Sequence, residues 1–257
     1  METILYAVIG LLIFMLGGCL GSFFNVVLYR LPKKEEFIKT RSHCPECKHV
    51  LKWYELVPVF SYMIQRGHCR KCGVKMSVQY LLMELLCGGA NLWAFISLGF
   101  DSPHRIIIAF ILFPVLVSLS VEDIRKTEIP YWCTITIAVL GIAATIFSVL
   151  PAFQPTDALW WEHLIGMVIV SLPFAVFCFL GAMGGGDVQL TAAAGLLLGF
   201  AIVPSVLIAL IIGAVFGIAV KISKKRATVC FGPFLSLGIA VGYLYGYDII
   251  AAYSMAF

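Results

Sequence analysis

The chain has 257 residues, of which 61% are hydrophobic and only 12% charged, and its formal net charge is +4. A soluble domain stays near half apolar residues, so this composition excludes an ordinary soluble enzyme and points to an all-α polytopic membrane protein. The basic residues are scattered over three loops rather than gathered into one face, which reads as membrane orientation and not as nucleic-acid binding; membrane lipid is the expected surrounding.

A bilayer span needs about 20 mainly apolar residues. The first such run is 3–24. It lacks the positive n-region of a cleavable signal peptide, with only Met1 and Glu2 ahead of it, so it is expected to be a retained span. The one large non-membrane segment follows, at about 30–78. Seven more runs are predicted to cross: 79–99, 104–122, 131–150, 163–182, 188–202, 204–221 and 231–253, about eight in all. The sixth is short, and its boundary with the seventh is placed near Pro204. Gly-x-x-x-Gly pairs recur at Gly17/Gly21, Gly195/Gly199, Gly213/Gly217 and Gly238/Gly242/Gly246. Small residues four apart let helices approach closely, and tight packing within the chain is expected rather than a dimer interface. No low-complexity tract or internal repeat is expected.

The segment 30–78 carries Cys44-Pro45-Glu46-Cys47 and Cys69-Arg70-Lys71-Cys72, two C-x-x-C pairs with positions 48–68 between them. That gap is just beyond the usual range for paired knuckles. Four thiolates so placed suit tetrahedral Zn²⁺; disulfides, redox thiols or another metal are the alternatives. His43, His49 and His68 are nearby candidate ligands. A segment this short has little core, so a metal staple makes physical sense. Cys19, Cys87, Cys133, Cys178 and Cys230 fall in or beside spans and are read as packing residues.

Orientation follows from Lys and Arg. With the N-terminus outside, 17 of the 18 fall on one side, including Lys221, Lys224, Lys225 and Arg226, and only Arg105 lies opposite. That side is expected to be cytoplasmic. The same reading places two acids, Asp123 and Asp187, at the cytoplasmic ends of their spans, although neither entered the charge argument.

An ionisable group at membrane depth costs about 2.5–3.5 kcal/mol and is a functional candidate by default. Two neighbouring carboxylates cannot both ionise, so their pKa values split. The ionised one can take a proton from water while the protonated one polarises a carbonyl. Gly184, Gly185 and Gly186 remove side-chain bulk beside Asp187 and let a substrate chain lie close. Glu122 is a rival acid, but it faces about 100° away from Asp123 on a helix. Ion transport is the competing reading; against it, the other spans carry few ionisable residues.

Several blocks resemble the bacterial type IV prepilin peptidases, also called leader peptidase/N-methyltransferases. They are Gly21-Ser22-Phe23-Phe24-Asn25 through Arg30-Leu31-Pro32, Arg41-Ser42-His43-Cys44-Pro45-Glu46-Cys47, Glu55-Leu56-Val57-Pro58-Val59 through Ser61-Tyr62, and Gly67-His68-Cys69-Arg70-Lys71-Cys72. Ser77-Val78-Gln79-Tyr80-Leu81-Leu82-Met83-Glu84 and Phe231-Gly232-Pro233-Phe234-Leu235 complete the set. The chain departs from the family pattern at Leu81, where Pro is common, at Gln189, where Lys is common, and at Glu122, where an apolar residue is usual.

The resemblance implies a membrane aspartic protease. It implies catalysis by Asp123 and Asp187, an active-site loop with Gly184 and Gly186, and type IV prepilin or pseudopilin precursors as substrates. It implies cleavage after a Gly on the cytoplasmic side of the inner membrane. It further implies N-methylation of the new N-terminus with S-adenosylmethionine, with Glu84 a candidate methyl-transfer residue. The expected organisation is a first span at 1–29, a cytoplasmic zinc-binding module at 30–78 held by Cys44, Cys47, Cys69 and Cys72 and expected to serve methyl transfer, and a protease part at 79–257. A protease without methyl transfer, and a non-enzymatic scaffold or transporter, remain alternatives.

Overall fold

A computed structural model describes residues 2–31, 41–44, 46–100, 102–150, 159–181, 183–223 and 230–256. Pro32 and Pro45 of the quoted blocks, and the basic residues Lys224, Lys225 and Arg226, lie outside them. Among the described residues there are nine α-helices, and pairing of extended chain is limited to two isolated bridges. The chain forms two compact units, Met1–Asp101 and Ser102–Phe257.

The first unit holds α1 (Glu2–Arg30), α2 (Phe60–Ile64) and α3 (Val78–Leu98). α1 is apolar on every side, as a lipid-embedded helix must be. Its 29 residues extend about 44 Å at 1.5 Å per residue, longer than a hydrocarbon core of about 30 Å. α3 starts at Ser77, whose hydroxyl accepts from the Gln79 amide at 3.2 Å. It stops at Gly99, which at φ 60° takes a conformation that side chains disfavour. The two long helices pack against each other. A Cβ on Gly21 of α1 would stand 2.6 Å from the Met83 carbonyl oxygen of α3. This is the close approach that small residues permit.

The second unit holds α4 (Pro103–Lys126), α5 (Tyr131–Val149), α6 (Trp160–Phe179), α7 (Gly185–Leu198), α8 (Ile202–Ser223) and α9 (Gly232–Ala256). α4 packs on α5 and α9, α7 on α5 and α6, and α8 on α9. The four residues Phe113, Leu112, Leu119 and Val115 of α4 are almost wholly inaccessible, which makes this helix the centre of the unit.

Seven helical stretches are long and apolar enough to span a membrane, one of them the 38-residue run Gly185–Ile222. That run is two passes, not one. Gly199, at φ 60°, ends α7, and a short 3-10 turn, Gly199–Ala201, leads into α8. Gly213 of α8 faces Phe231 and Phe234 at the start of α9. The Gly232 amide reaches Asp123 at the end of α4, and Asp187 at the start of α7 lies within electrostatic range of Asp123. The start of α7 and the end of α8 therefore lie at the same end of the unit. The count of eight long helices matches the sequence expectation. The turn is at Gly199, however, and not at Pro204, which sits in the first turn of α8 where its missing N–H costs nothing.

Most of the Gly-x-x-x-Gly pairs are used inside the chain. Gly195 and Gly199 pack on Gly166, and Gly238, Gly242 and Gly246 on Ala201 and Ser205. Gly217 meets nothing within 4 Å.

Candidate active site and metal centre

Asp123 lies in the last turn of α4 and is only 6% exposed. The C-terminal end of a helix is unfavourable for an anion, so its position needs compensation from elsewhere. That compensation is the free N-terminus of α9, where the Gly232 amide donates to Asp123 Oδ2 at 2.8 Å. A hydrogen bond to a charged group contributes about 1.5–3 kcal/mol, close to the cost of placing the acid at this depth. Asp187 occupies the first turn of α7, again a helix N-terminus that favours negative charge. The N-terminus of α9 thus meets Asp123, and Asp187, at the N-terminus of α7, lies within electrostatic range of it.

The glycines around the pair have separate roles. A Cβ on Gly184 would lie 3.7 Å from Asp187 Oδ2, one on Gly185 would meet nothing within 4 Å, and one on Gly186 would lie 3.1 Å from Ile129 Cβ. Gly186 therefore lets the start of α7 close on the α4–α5 connection, and Gly184 leaves the approach to Asp187 open.

Gly232 is the position at the site to which the sequence alone attached no role. It was legible only as part of the Phe231–Leu235 block, with no role attached. A Cβ there would stand 2.6 Å from Asp123 Oδ2 and 2.9 Å from its Cγ. Gly232→Ala is expected to push the Asp123 carboxyl aside; a misplacement of about 1 Å costs about 10²-fold in rate. Steady-state cleavage by the inserted variant checks this, and near-normal kcat rules out a role for that contact.

Glu122 is held by its own helix, with Lys126 Nζ donating to Oε1. Its Oε1 is taken up in an i,i+4 ion pair, while Oε2 is buried without a hydrogen-bond partner.

Cys230, just ahead of α9, carries a thiol raised above its usual pKa by burial and then by the Asp123 carboxylate.

In the first unit the four cysteines Cys44, Cys47, Cys69 and Cys72 bring their sulfurs within 4.8 Å of one another. Cys44 and Cys72 Sγ are 3.8 Å apart, and Cys47 and Cys69 Sγ 4.0 Å. Disulfide sulfurs stand about 2.05 Å apart, so these two pairs are not bonded. Four sulfurs about 2.3 Å from a central Zn²⁺ in a tetrahedron would stand about 3.8 Å apart, and the observed spacing fits that set. The nearby histidines do not join this cluster. His43 Nδ1 pairs with the Arg41 carbonyl and His68 Nδ1 with the Arg66 carbonyl, while His49 faces Glu55. Backbone amides of Cys72 and Lys71 lower the Cys69 thiol to about 7, whereas burial and the neighbouring cysteines push the Cys72 thiol up to about 11.

The two knuckles also overturn the expectation of no repeat. Arg41-Ser42-His43-Cys44 and Arg66-Gly67-His68-Cys69 are equivalent segments. Cys44 N donates to His49 O at 2.9 Å, as Cys69 N does to Val74 O at 2.9 Å. Lys48 N donates to Cys44 O, as Gly73 N does to Cys69 O. The bridges His43–Val50 and His68–Lys75 complete the correspondence. Lys48 and Gly73 both take positive φ, 56° and 72°. Divergence outside Arg-x-His-Cys-x-x-Cys masks the repeat in the sequence.

Glu84 of α3 is buried, 7% exposed. Its Oε2 accepts from the Val59 amide at 2.7 Å, and its carboxylate also pairs with the Ser22 side chain.

Comparison with known proteins bears on both units. Residues 15–98 match the bacterial peptidase A24 N-terminal domain, and residues 110–218 match the type IV leader peptidase family. A prepilin leader peptidase/N-methyltransferase of Myxococcus xanthus (strain DK1622) is 35% identical over 224 residues, covering 84% of this chain and 64% of that protein. The chain thus spans just under two thirds of that relative. The protein of the same name in Bacillus subtilis (strain 168) is 32% identical over 248 residues, 94% of this chain and 96% of the relative. The one in Neisseria gonorrhoeae is 30% identical over 258 residues, 87% and 86% respectively. No solved structure gives a significant match.

Proposed function

Because the chain belongs to the type IV leader peptidase family, we propose that it is a multi-pass membrane aspartic protease that removes the leader of type IV prepilin or pseudopilin precursors and then N-methylates the exposed residue. The observation that carries this reading is the Gly232 amide donating to Asp123, with Asp187 at the start of α7 within electrostatic range of that carboxyl. Of the other acids in the second unit, Glu122 is engaged through Oε1 by Lys126, and Glu162 by the Tyr247 hydroxyl.

In the proposed reaction the two carboxyls share one proton, and the apparent pKa values belong to the pair. The ionised carboxylate takes a proton from water, whose oxygen attacks the scissile carbonyl carbon. The protonated carboxyl donates to the carbonyl oxygen. Collapse breaks the C–N bond as the amine receives a proton. Gly184 leaves the approach to the pair open for the substrate backbone, Gly186 lets α7 close on the α4–α5 connection, and the cut falls after a glycine on the cytoplasmic side. The bias of Lys and Arg supports this orientation, with the N-terminus outside the inner membrane.

Methyl transfer is assigned to the first unit. S-adenosylmethionine would supply an electrophilic methyl group, and Glu84 would act from this chain by holding the substrate ammonium or accepting its proton. The proposed organisation keeps residues 1–29 as a span and 30–78 as the metal-binding module; α3, with Glu84, groups with them in the first unit, so the proteolytic part begins at Ser102 and not at residue 79. Zn²⁺ on Cys44, Cys47, Cys69 and Cys72 would be structural, since four protein ligands leave no open position.

The deciding experiment incubates the purified, reconstituted protein with a prepilin and isotope-labelled methyl donor. A mature pilin carrying one added methyl supports the bifunctional reading; a mature, unmethylated pilin leaves a protease alone; no processing overturns the assignment. Glu84→Gln separates the two activities. The amide oxygen can still accept from Val59, so the fold is kept while the charge is lost. Methylation of a pre-cleaved pilin is expected to fall at least about 10-fold, as for a lost acid–base group, with leader cleavage unchanged. Equal loss of both activities removes Glu84 from methyl transfer.

A further inference from the structure

The stretch between the knuckles, 48–68, is longer than two metal-binding turns need. It forms a short 3-10 turn, Trp53–Glu55, then α2, and the chain between these contacts the α1–α3 pair. Pro58 lies against Gly18 of α1, where a glycine Cβ would be 3.0 Å from Pro58 Cβ. The Val59 amide donates to Glu84 of α3. These contacts fix a depth. α3 has 21 residues and so extends about 32 Å, roughly one hydrocarbon thickness. Glu84 lies in the second turn after the start at Val78, about 9 Å along the axis. Pro58 and Val59 therefore sit at the level of the bilayer interior and not in the aqueous phase beyond it.

Four further observations agree. The segment 53–64 has a single charged side chain, Glu55, and that one is buried and accepts from the Lys52 amide at 2.8 Å. The neighbouring apolar side chains are turned outward, with Trp53 78%, Phe60 51%, Met63 64% and Ile64 69% exposed. Backbone at membrane depth must have its polar groups satisfied within the protein. Val59 N is taken by Glu84, Phe60 N by Pro58 O, Ser61 N by Val57 O and Met63 N by Val59 O, while Pro58 has no amide to satisfy. Cations flank the segment on both sides, at Lys52, Arg66, Arg70, Lys71 and Lys75. Lys52 and Arg70 lie 5.9 and 5.1 Å from the Tyr54 ring centroid. An aromatic ring beside basic side chains is the composition of a headgroup interface.

We propose that residues 53–64 form a re-entrant segment that dips into the leaflet at the Arg30 end of α1. Trp53, Phe60, Met63 and Ile64 lie against acyl chains, and the flanking cations lie against anionic lipid headgroups. The two knuckles then act as a clasp at the membrane surface, holding both ends of a loop that hydrophobic contact with lipid keeps inserted. This explains the long gap between the cysteine pairs. It does not depend on either enzymatic assignment.

The test uses the full chain reconstituted in mixed zwitterionic and anionic vesicles. Trp53 emission is taken as the difference between the protein and its Trp53→Phe variant, with bound metal measured as a check on folding. Lipid brominated on its acyl chains is expected to remove at least half of the Trp53 signal, and aqueous iodide to remove little. A Trp53 signal quenched by iodide and untouched by brominated lipid overturns the proposal. So does a signal that a prepilin, and not lipid, shields from iodide, since the surface would then be a protein-docking face. If Trp53→Phe fails to bind metal, a variant retaining Trp53 with Trp93, Trp132, Trp160 and Trp161 changed to Phe reads the same signal directly. Cleavage and methylation assays on the same vesicles report separately on the enzyme.

Discussion

Asp123→Asn and Asp187→Asn are each expected to abolish leader cleavage while leaving the protein inserted. Asn is nearly isosteric with Asp, and at position 123 its side-chain oxygen can still accept from the Gly232 amide that meets Asp123 at 2.8 Å. The substitution therefore leaves the junction of α4 and α9 intact. What is lost is the capacity to share and transfer a proton. General acid–base catalysis contributes about 10²–10⁴-fold, and one carboxyl cannot fill both roles, so the loss should reach the upper part of that range. Asp123→Ala is a harsher change: it leaves a buried amide without its acceptor, an additional cost of about 1–3 kcal/mol. The measurement is the rate of prepilin processing in vesicles, with methylation of a pre-cleaved pilin as the internal control. Retained processing by either Asn variant removes that residue from the mechanism. Loss of both activities together points to a folding defect.

Cys44→Ser or Cys69→Ser is expected to take the bound metal from about one Zn²⁺ per chain to near none. Structural zinc in zinc-finger peptides binds with about 10–16 kcal/mol at neutral pH, far more than so short a knuckle gains from its few backbone hydrogen bonds. The knuckle residues 41–52 and 65–76 should therefore become protease-sensitive when metal is lost, while the helices remain protected. Zn²⁺ requires thiolates, so occupancy should also fall as pH is lowered and the cysteines protonate. Elemental analysis with limited proteolysis reads both effects. Full zinc occupancy in a Cys→Ser variant excludes the four-cysteine site. Full cleavage after zinc loss confines the module to stability or methyl transfer.

The sequence by itself determined the membrane class, the number of long helices and the cysteine set, and it singled out both aspartates as candidates. Each is a local property. Hydropathy accumulates along a window of one helix length. C-x-x-C places two thiols on one turn, and an acid at the edge of an apolar run stands out against its neighbours. Tertiary structure alone decided the rest. Asp123 meets the amide of Gly232 from a distant part of the chain, and nothing local marks a glycine as the partner of a remote carboxylate. The turn at Gly199 was displaced to Pro204 because proline is the stronger break on paper. In the folded chain Pro204 falls in a first turn, where it is tolerated, while close packing on Gly166 coincides with the reversal at Gly199. Residues 53–64 read as part of a loop because loops are judged by what precedes and follows them. Their depth is set by Gly18 and Glu84, which belong to helices on either side of the segment in sequence and beside it only in space.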